Sequence, residues 1–215
     1  MNIGNRQSIL FTGDSITDCG RTHPLGQGAG LGEGYVALVD SLLAAWYPQL
    51  RINILNSGIG GNRAIDLEAR WQTDVLALEP DWLSIMIGIN DVWRQFDDDL
   101  NPDQVGLDRY ESTYRRLLEQ ARPIVGTGLV LMSPYYIESN LSDPMRERMD
   151  AYGTVVEQLA HAFDAVFVNV QAAIDHHLAH RPTQLLCDDR VHPNQIGHMI
   201  IAKSFLTTMQ FDWNV

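Results

Sequence analysis

The chain of 215 residues carries 15 basic and 27 acidic side chains, so its formal net charge is −12 at pH 7. Nucleic acids and anionic membranes bind basic patches that neutralise phosphates, and this charge argues against both kinds of partner. Hydrophobic residues make up 45% and charged residues 20% of the chain, as in ordinary globular proteins. We expect one domain over residues 1–215 and a neutral or weakly polar small-molecule substrate.

Nothing in the sequence suggests export or membrane insertion. Residues 1–6 lack the apolar run of a signal peptide, and no run of about 18 apolar residues occurs. We therefore expect a soluble, cytoplasmic protein.

Cys19 and Cys187 have neither the spacing of a zinc site nor that of a CxxC motif. This predicts two free thiols, although a disulfide between them stays open as an alternative.

Short apolar runs alternate with amphipathic stretches along the chain, which is typical of an α/β architecture. Runs bounded by Gly, Pro, Asn or Asp predict five strands, over residues 8–12, 52–55, 82–87, 128–132 and 165–168. Apolar residues at i, i+3, i+4 and i+7 predict helices over 34–46, 65–78, 104–121, 145–163, 170–180 and 194–209. Prolines end the first three helices, and the acidic run 97–99 is interpreted as a solvated loop.

The alternation of strands and helices predicts a mostly parallel sheet. In such sheets ligands bind beyond the carboxyl ends of the strands, where the strand order reverses. The loops that follow Thr12, Leu55, Ile87 and Met132 should therefore lie close together.

A serine comes directly after the first predicted strand, in Gly13-Asp14-Ser15-Ile16-Thr17. Alone, this motif more often indicates a polar side chain that caps the following turn. Near the other end of the chain, Asp189 and His192 stand three residues apart, so the carboxylate can reach the imidazole Nδ1. Together Ser15, His192 and Asp189 supply a nucleophile, its base and the group that orients the base. The other six histidines are interpreted as surface or core residues.

Two further loops offer hydrogen-bond donors for an oxyanion. Residues 56–62 read Asn-Ser-Gly-Ile-Gly-Gly-Asn, and residues 88–91 read Gly-Ile-Asn-Asp. Glycine gives an unobstructed backbone N–H, and an asparagine amide is a neutral donor. The order Ser, Asp, His is that of α/β-hydrolases, but Thr17 stands where their Gly-x-Ser-x-Gly elbow needs a glycine. A different fold is therefore indicated.

These four motifs resemble those of the SGNH hydrolases, also called GDSL-type esterases. That family has a Ser in Gly-Asp-Ser, a Gly, an Asn in Gly-x-Asn-Asp and a His three residues after an Asp. Within it, the chain is most similar to bacterial acetylxylan esterases, through residues 13–20, 84–95 and 143–146. The resemblance implies a three-layer α/β/α sandwich with a flavodoxin-like, mostly parallel sheet of five strands, and a homo-oligomer.

The resemblance also implies an oxyanion hole made by the backbone N–H groups of Ser15 and Gly61 and the side chain of Asn90. The family's second block commonly reads Gly-x-Ser-Gly-Asn, and here it reads Gly-Ile-Gly-Gly-Asn. Gly61 matches the family's glycine, and Gly60 stays open as an alternative donor. No cofactor and no metal are expected, because these donors carry the charge that a metal would otherwise stabilise.

The function implied is that of a serine esterase that removes acetyl groups from acetylated xylo-oligosaccharides through an acetyl-serine intermediate. A broad short-chain carboxylesterase, a thioesterase and a lysophospholipase are alternatives with the same chemistry. A carbohydrate-binding protein without turnover is a further alternative, which the complete set of catalytic residues disfavours.

Segment 137–149 is a candidate lid or subunit contact. Candidates for substrate contact, with core packing as the competing interpretation of the aromatic ones, are Asp14, Asn62, Trp93, Arg94, Tyr135 and Tyr136.

Overall fold

The computed structural model describes residues 1–97 and 104–214. Within them, six strands form one sheet in the order β2-β3-β1-β4-β5-β6. Their bounds are β1 Ser8–Gly13, β2 Gly26–Gln27, β3 Asn53–Asn56, β4 Trp82–Met86, β5 Gly128–Met132 and β6 Val166–Val168.

Five of these strands are the predicted ones, and they pair with one another in parallel. Their near-continuous apolar sequences reflect burial on both faces of the sheet. The added edge strand, β2, runs antiparallel to β3 and makes the sheet six-stranded rather than five-stranded. At two residues, Gly26 and Gln27, it is too short to show an apolar alternation in the sequence.

Eight α-helices occur in the described residues. They are α1 Ser15–Asp18, α2 Tyr35–Trp46, α3 Ala64–Asp74, α4 Ile89–Asp97, α5 Leu107–Ala121, α6 Pro144–Ala162, α7 Val170–Leu178 and α8 Gln195–Thr208. All six predicted helices are present, while α1 and α4 were not predicted. Asp97, expected in a loop, ends α4, and the rest of that acidic run lies outside the described residues.

The helices cover both faces of the sheet. On one face α8 packs against α2 and α7, and on the other α5 packs against α3 and α6. The predicted three-layer arrangement is therefore confirmed. A hydrogen bond from Trp71 Nε1 to the carbonyl oxygen of Leu117, 3.1 Å long, joins α3 to α5 inside the core.

The strand order reverses at β1, which lies between β3 and β4. From β1 the chain crosses to β3 on one side, and from β3 it crosses back over β1 to β4 on the other. The loops at the carboxyl ends of these three strands therefore diverge and leave a crevice between them. In the part of the chain that the structure describes, no helix is long and apolar enough to span a membrane.

Candidate active site

Ser15 begins α1 at the point where β1 ends. The Asp14 side chain caps this short helix by accepting the backbone N–H of Ile16 at 3.0 Å. A Cβ atom at Gly13 would collide with the carbonyl oxygen of Met86, so the turn between strand and helix requires glycine at this position. The close packing of the turn fixes the direction in which the Ser15 hydroxyl points.

The three sequence-predicted catalytic side chains form one chain of hydrogen bonds. Ser15 Oγ lies 2.9 Å from His192 Nε2, and His192 Nδ1 lies 2.6 Å from Asp189 Oδ2. The segment between α7 and α8 carries the aspartate and the histidine back to the carboxyl edge of the sheet. Ser15 and His192 are thereby brought together although they are 177 positions apart.

The second oxygen of Asp189 holds the loop that carries the base. Asp189 Oδ1 accepts the backbone N–H groups of Val191 at 2.9 Å and of His192 at 2.8 Å. Burial alone would raise the pKa of the Asp189 carboxyl, but these bonds and the one from the His192 ring lower it below its usual value. The ionised carboxylate therefore holds the imidazole with Nε2 directed at Ser15.

Asn90 lies in the first turn of α4, close to the loop after β3. Its Nδ2 donates to the carbonyl oxygen of Asn62 at 3.0 Å, which leaves the second amide hydrogen free to reach a reacting oxygen. Asp91, the next residue, is fully buried, and both of its oxygens accept the backbone N–H of Ala64, at 3.1 and 3.2 Å. Residues 90 and 91 together fasten the glycine loop to α4.

The structure distinguishes the two candidate glycines. The backbone N–H of Gly60 donates to Asp18 Oδ2 at 3.1 Å and is therefore occupied. Gly61 has a φ of +79°, in the left-handed region that glycine tolerates, and the described residues provide no acceptor for its N–H. This geometry favours Gly61 over Gly60 as an oxyanion donor.

Two buried carboxyl groups lie beneath the site. Burial raises the pKa of Asp14 to about 7, and it raises that of Asp91 to about 7 as well. Their role as hydrogen-bond acceptors for Ile16 and Ala64 explains why polar side chains occupy these buried positions. Asp14 is one of the predicted substrate contacts, whereas the sequence pattern assigns no role to Asp91.

The candidate substrate contacts divide into two groups. Trp93 is half-buried, with its ring edge-on to His192 at 6.0 Å between centroids, and Arg94 is exposed beside the glycine loop. Asn62 is half-buried, and its side-chain oxygen accepts Arg70 Nε at 2.8 Å. Trp93 and Arg94 therefore border the site, while the Asn62 side chain is engaged in holding the loop.

For Asp14 and Tyr135 the expectation of substrate contact was wrong, because burial excludes it. Asp14 is 1% exposed, and Tyr135 is 0% exposed with its hydroxyl 3.4 Å from the carbonyl oxygen of Val191. Tyr136 is 3% exposed, and the Arg190 guanidinium lies 5.0 Å from its ring centre. Burial thus favours core packing as the interpretation of Tyr135, whereas Tyr136 is buried and also lines the cleft beside the site.

A cleft of about 320 Å³ adjoins the catalytic residues. It is bordered by α4, by the start of α6 and by the loop of the catalytic aspartate, with Trp93, Phe96, Tyr136, Asp143 and Arg190 among its lining residues. Segment 137–149 does not form a separate lid, because Pro144 begins α6 and Ile137 is completely buried.

The remaining expectations concern the cysteines, the histidines and metals. Cys19 and Cys187 are free thiols, as predicted. His198 is a core histidine whose Nδ1 accepts the backbone N–H of Tyr35 at 3.2 Å, and burial lowers its pKa to about 4. Among the described residues, no group of three or more His, Cys, Asp or Glu side chains is arranged to hold a metal ion.

Comparison with known proteins places the chain among esterases. Residues 11–200 match the GDSL-like lipase/acylhydrolase family. The acetylxylan esterase of Geobacillus stearothermophilus is 51% identical to this chain over 99% of its length and 98% of that protein's. The crystal structure of that enzyme has a TM-score of 0.97 to the present fold, over 99% of this chain and 98% of that one.

Other solved structures agree. LAE5, an α/β hydrolase enzyme from the metagenome of Lake Arreo in Spain, is 42% identical, with a TM-score of 0.95 and 98% of each chain covered. Structures of catalytic mutants of the Geobacillus enzyme replace a serine, an aspartate or a histidine with alanine. The four motifs, the fold and these similarities show that the chain belongs to the GDSL-like lipase/acylhydrolase family.

Proposed function

We propose that this protein is a serine esterase that removes acetyl groups from acetylated xylo-oligosaccharides. The observation that carries the proposal is the continuous hydrogen-bonded chain from Ser15 through His192 to Asp189. The substrate class is supported by the Geobacillus relative, which is named an acetylxylan esterase and, in one solved structure, an acetyl-xylooligosaccharide esterase.

The first half of the reaction forms an acetyl-enzyme. Ser15 Oγ attacks the acetyl carbonyl carbon while His192 Nε2 takes the hydroxyl proton, and the carbonyl electron pair moves onto its oxygen. Asp189 holds the ring and stabilises the imidazolium that forms. When the tetrahedral intermediate collapses, the bond to the sugar oxygen breaks and His192 returns its proton to that oxygen.

Three donors would stabilise the oxyanion: the backbone N–H groups of Ser15 and Gly61 and the free amide hydrogen of Asn90. The geometry supports this set because Gly60 is already bonded to Asp18 and Asn90 is fixed against the carbonyl oxygen of Asn62. Such donors bind a full negative charge more strongly than a neutral ester oxygen, so they lower the barrier rather than merely holding substrate.

Water completes the cycle. His192 takes a proton from a water molecule as its oxygen attacks the acetyl carbon, and the second intermediate collapses to acetate. The proton then passes from His192 to Ser15 Oγ, which restores the enzyme. His192 is 46% exposed in its side chain, which leaves a route for water to the acyl group.

The cleft beside the triad offers a place for the sugar. Trp93 presents an aromatic surface next to His192, and sugar rings stack on such surfaces. Arg94, near the glycine loop, and Arg190, in the cleft wall, can donate hydrogen bonds to hydroxyl groups. The cleft holds about 320 Å³ of space.

The nucleophile is tested by Ser15→Ala, assayed with p-nitrophenyl acetate. We expect kcat to fall by roughly three to six orders of magnitude, because no other group can form the acyl-enzyme. Covalent labelling of the parent protein by an organophosphonate, followed by mass spectrometry of the Ser15 peptide, provides an independent readout. A Ser15→Ala variant with parental activity would exclude the mechanism, and a parent without any adduct would favour a carbohydrate-binding protein.

The substrate class is tested on the parent enzyme with acetyl and octanoyl esters and with acetylated xylobiose. We expect rapid deacetylation of acetylated xylobiose and a lower kcat/KM for octanoyl esters than for acetyl esters. Comparable rates on both chain lengths and none on the sugar would favour a broad carboxylesterase or a lysophospholipase. NMR analysis of the products would identify the acetylated position.

The proposal extends to the organisation of the protein. One shared core beneath the sheet supports a single domain over residues 1–215. Two free thiols fit the reducing cytoplasm. Exposed apolar side chains such as Ile196 and Met199, one turn apart on α8, support a homo-oligomer. Light scattering on the purified protein tests the oligomeric state.

A further inference from the structure

Arg70, in α3, makes contacts that its surface ion pair does not explain. Its side chain is 14% exposed. One nitrogen, Nη1, donates to the carbonyl oxygen of Ser57 at 2.7 Å, while Nη2 donates to that of Gly13 at 3.2 Å. The third nitrogen, Nε, donates to Asn62 Oδ1 at 2.8 Å. A single guanidinium thus joins two segments that are distant in sequence, the end of β1 and the glycine loop over residues 56–62.

The three acceptors belong to two parts of the active site, the end of β1 and the two ends of the glycine loop. Gly13 ends β1, two residues before the nucleophile. Ser57 directly follows β3. Asn62 is adjacent to Gly61, the proposed oxyanion donor. The Arg70 side chain therefore joins the strand that carries Ser15 to the loop that would bind the developing negative charge.

We infer that Arg70 is a positioning residue of this esterase, which sets the distance between Ser15 and the oxyanion donors of the glycine loop. The inference rests on the proposed function. Arginine suits the role because its planar guanidinium directs several N–H groups at fixed angles. A lysine would offer a compact ammonium that cannot reach three divergent acceptors at once.

The loop has other attachments, and they determine what loss of Arg70 should do. Asp18 binds the Gly60 N–H, Asn90 binds the Asn62 carbonyl oxygen, and Asp91 binds the Ala64 N–H. With these contacts intact, the loop should remain folded but move relative to Ser15. Displacing donors by about 1 Å can reduce a rate about 100-fold, so the expected effect is on kcat.

The first test compares Arg70→Lys and Arg70→Ala with the parent enzyme in p-nitrophenyl acetate hydrolysis. We expect kcat to fall about 10- to 100-fold in both variants, with KM changed less than threefold. Arg116→Ala is the matched control, because Arg116 also forms an ion pair with α3, through Glu68 at 2.9 Å, but lies on the exposed side. Its kcat should stay within twofold of the parent value.

A second control separates the loop contacts from the ion pair within α3. Arg70 Nη1 lies 2.8 Å from Asp74 Oδ2, one turn away in the same helix. Asp74→Asn keeps the three loop contacts, so we expect kcat within about threefold of the parent value. A loss as large as that of Arg70→Lys would assign the effect to helix stability and overturn the inference.

Chemical rescue distinguishes positioning from folding. Guanidinium chloride at tens of millimolar should raise kcat of Arg70→Ala at least fivefold and saturably, with sodium chloride at equal ionic strength giving no gain. Neither the parent nor Arg116→Ala should respond. Absence of rescue in a variant whose thermal midpoint lies within a few degrees of the parent's would overturn the inference, as would a folded Arg70→Lys with kcat within twofold of the parent's.

A failure here is distinguishable from failure of the proposed function. If the parent enzyme is active and Ser15→Ala is inactive, the esterase mechanism stands whatever Arg70 does. If Arg70→Ala is unfolded by circular dichroism, Arg70→Lys decides, since it keeps the charge and most of the side-chain volume.

Discussion

Asn90, one of the proposed oxyanion donors, is held in place by its contact with the loop after β3. One hydrogen of its amide is fixed at the carbonyl oxygen of Asn62, so the other has a set direction. A donor that needs no reorganisation during the reaction stabilises a transition state more strongly than one that must first turn. The proposed backbone donors, the N–H groups of Ser15 and Gly61, have the same property because the turn and the loop fix them.

We expect Asn90→Ala to lower kcat by about two to three orders of magnitude, roughly 3–4 kcal/mol, in p-nitrophenyl acetate hydrolysis. Asn90→Asp is the matched comparison, because a carboxylate has nearly the same shape but cannot donate and would repel an oxyanion. Its kcat should fall at least as far. A kcat for Asn90→Ala within threefold of the parent value would show that this side chain does not bind the oxyanion.

At the scale of elements, the N-cap of α8 holds the loop of His192, the proposed catalytic base. Asn194 caps the helix by accepting the backbone N–H groups of Ile196 at 3.0 Å and Gly197 at 3.4 Å. Its Nδ2 also donates to the carbonyl oxygen of Leu185 at 2.8 Å. This cap stabilises the helix. Because Asn194 is two residues beyond His192, the same contacts also anchor the loop that carries His192.

We expect Asn194→Ala to lose about 1–2 kcal/mol of unfolding free energy and to lower kcat several-fold. The control is Asn169→Ala, which removes the cap of α7, where Oδ1 accepts the Ala172 N–H at 2.9 Å. It should lose similar stability and keep parental kcat. Urea denaturation and steady-state kinetics on both variants provide the comparison, and equal kcat values would contradict a link between the α8 cap and His192.

Elements also show what the sequence could reveal. The strands β1, β4 and β5 could be predicted because each is a continuous apolar run. The pairing of Asp189 with His192 could be predicted because both side chains come from one turn. The helix α4 was missed because its buried Ile89 and Val92 form too short a repeat. Arg70 leaves no local signal, since its acceptors include carbonyl groups that any residue type would provide.

At the scale of the whole molecule, the fold forms the site from residues near both ends of the chain and buries two carboxyl groups beneath it. Asp14 and Asp91 are 1% and 0% exposed, and burial raises the pKa of each to about 7. A carboxyl whose pKa is higher in the folded than in the unfolded state favours folding when protonated. Their contribution is therefore fully present below pH about 4 and is lost as the pH rises to about 7.

His198 acts in the opposite direction over part of this range. Burial lowers its pKa to about 4, so its neutral form favours folding, and that contribution is lost as the pH falls from about 6.5 to about 4. The pH dependence of the parent protein thus combines opposing slopes. A variant that removes one carboxyl reports its share together with its coupling to the other, because the charge of Asp14 contributes to the raised pKa of Asp91.

We expect Asp14→Asn to report this combined contribution. The amide oxygen can still accept the Ile16 N–H, but the position no longer ionises. The unfolding free energy of Asp14→Asn relative to the parent should therefore increase by roughly 1–4 kcal/mol between pH 4.5 and pH 8, and level off above pH 7. Urea denaturation at four or five pH values measures it. A difference that stays constant across this range would show that Asp14 is already ionised at pH 4.5 in the folded protein, and that the carboxyl beneath Ser15 has access to water.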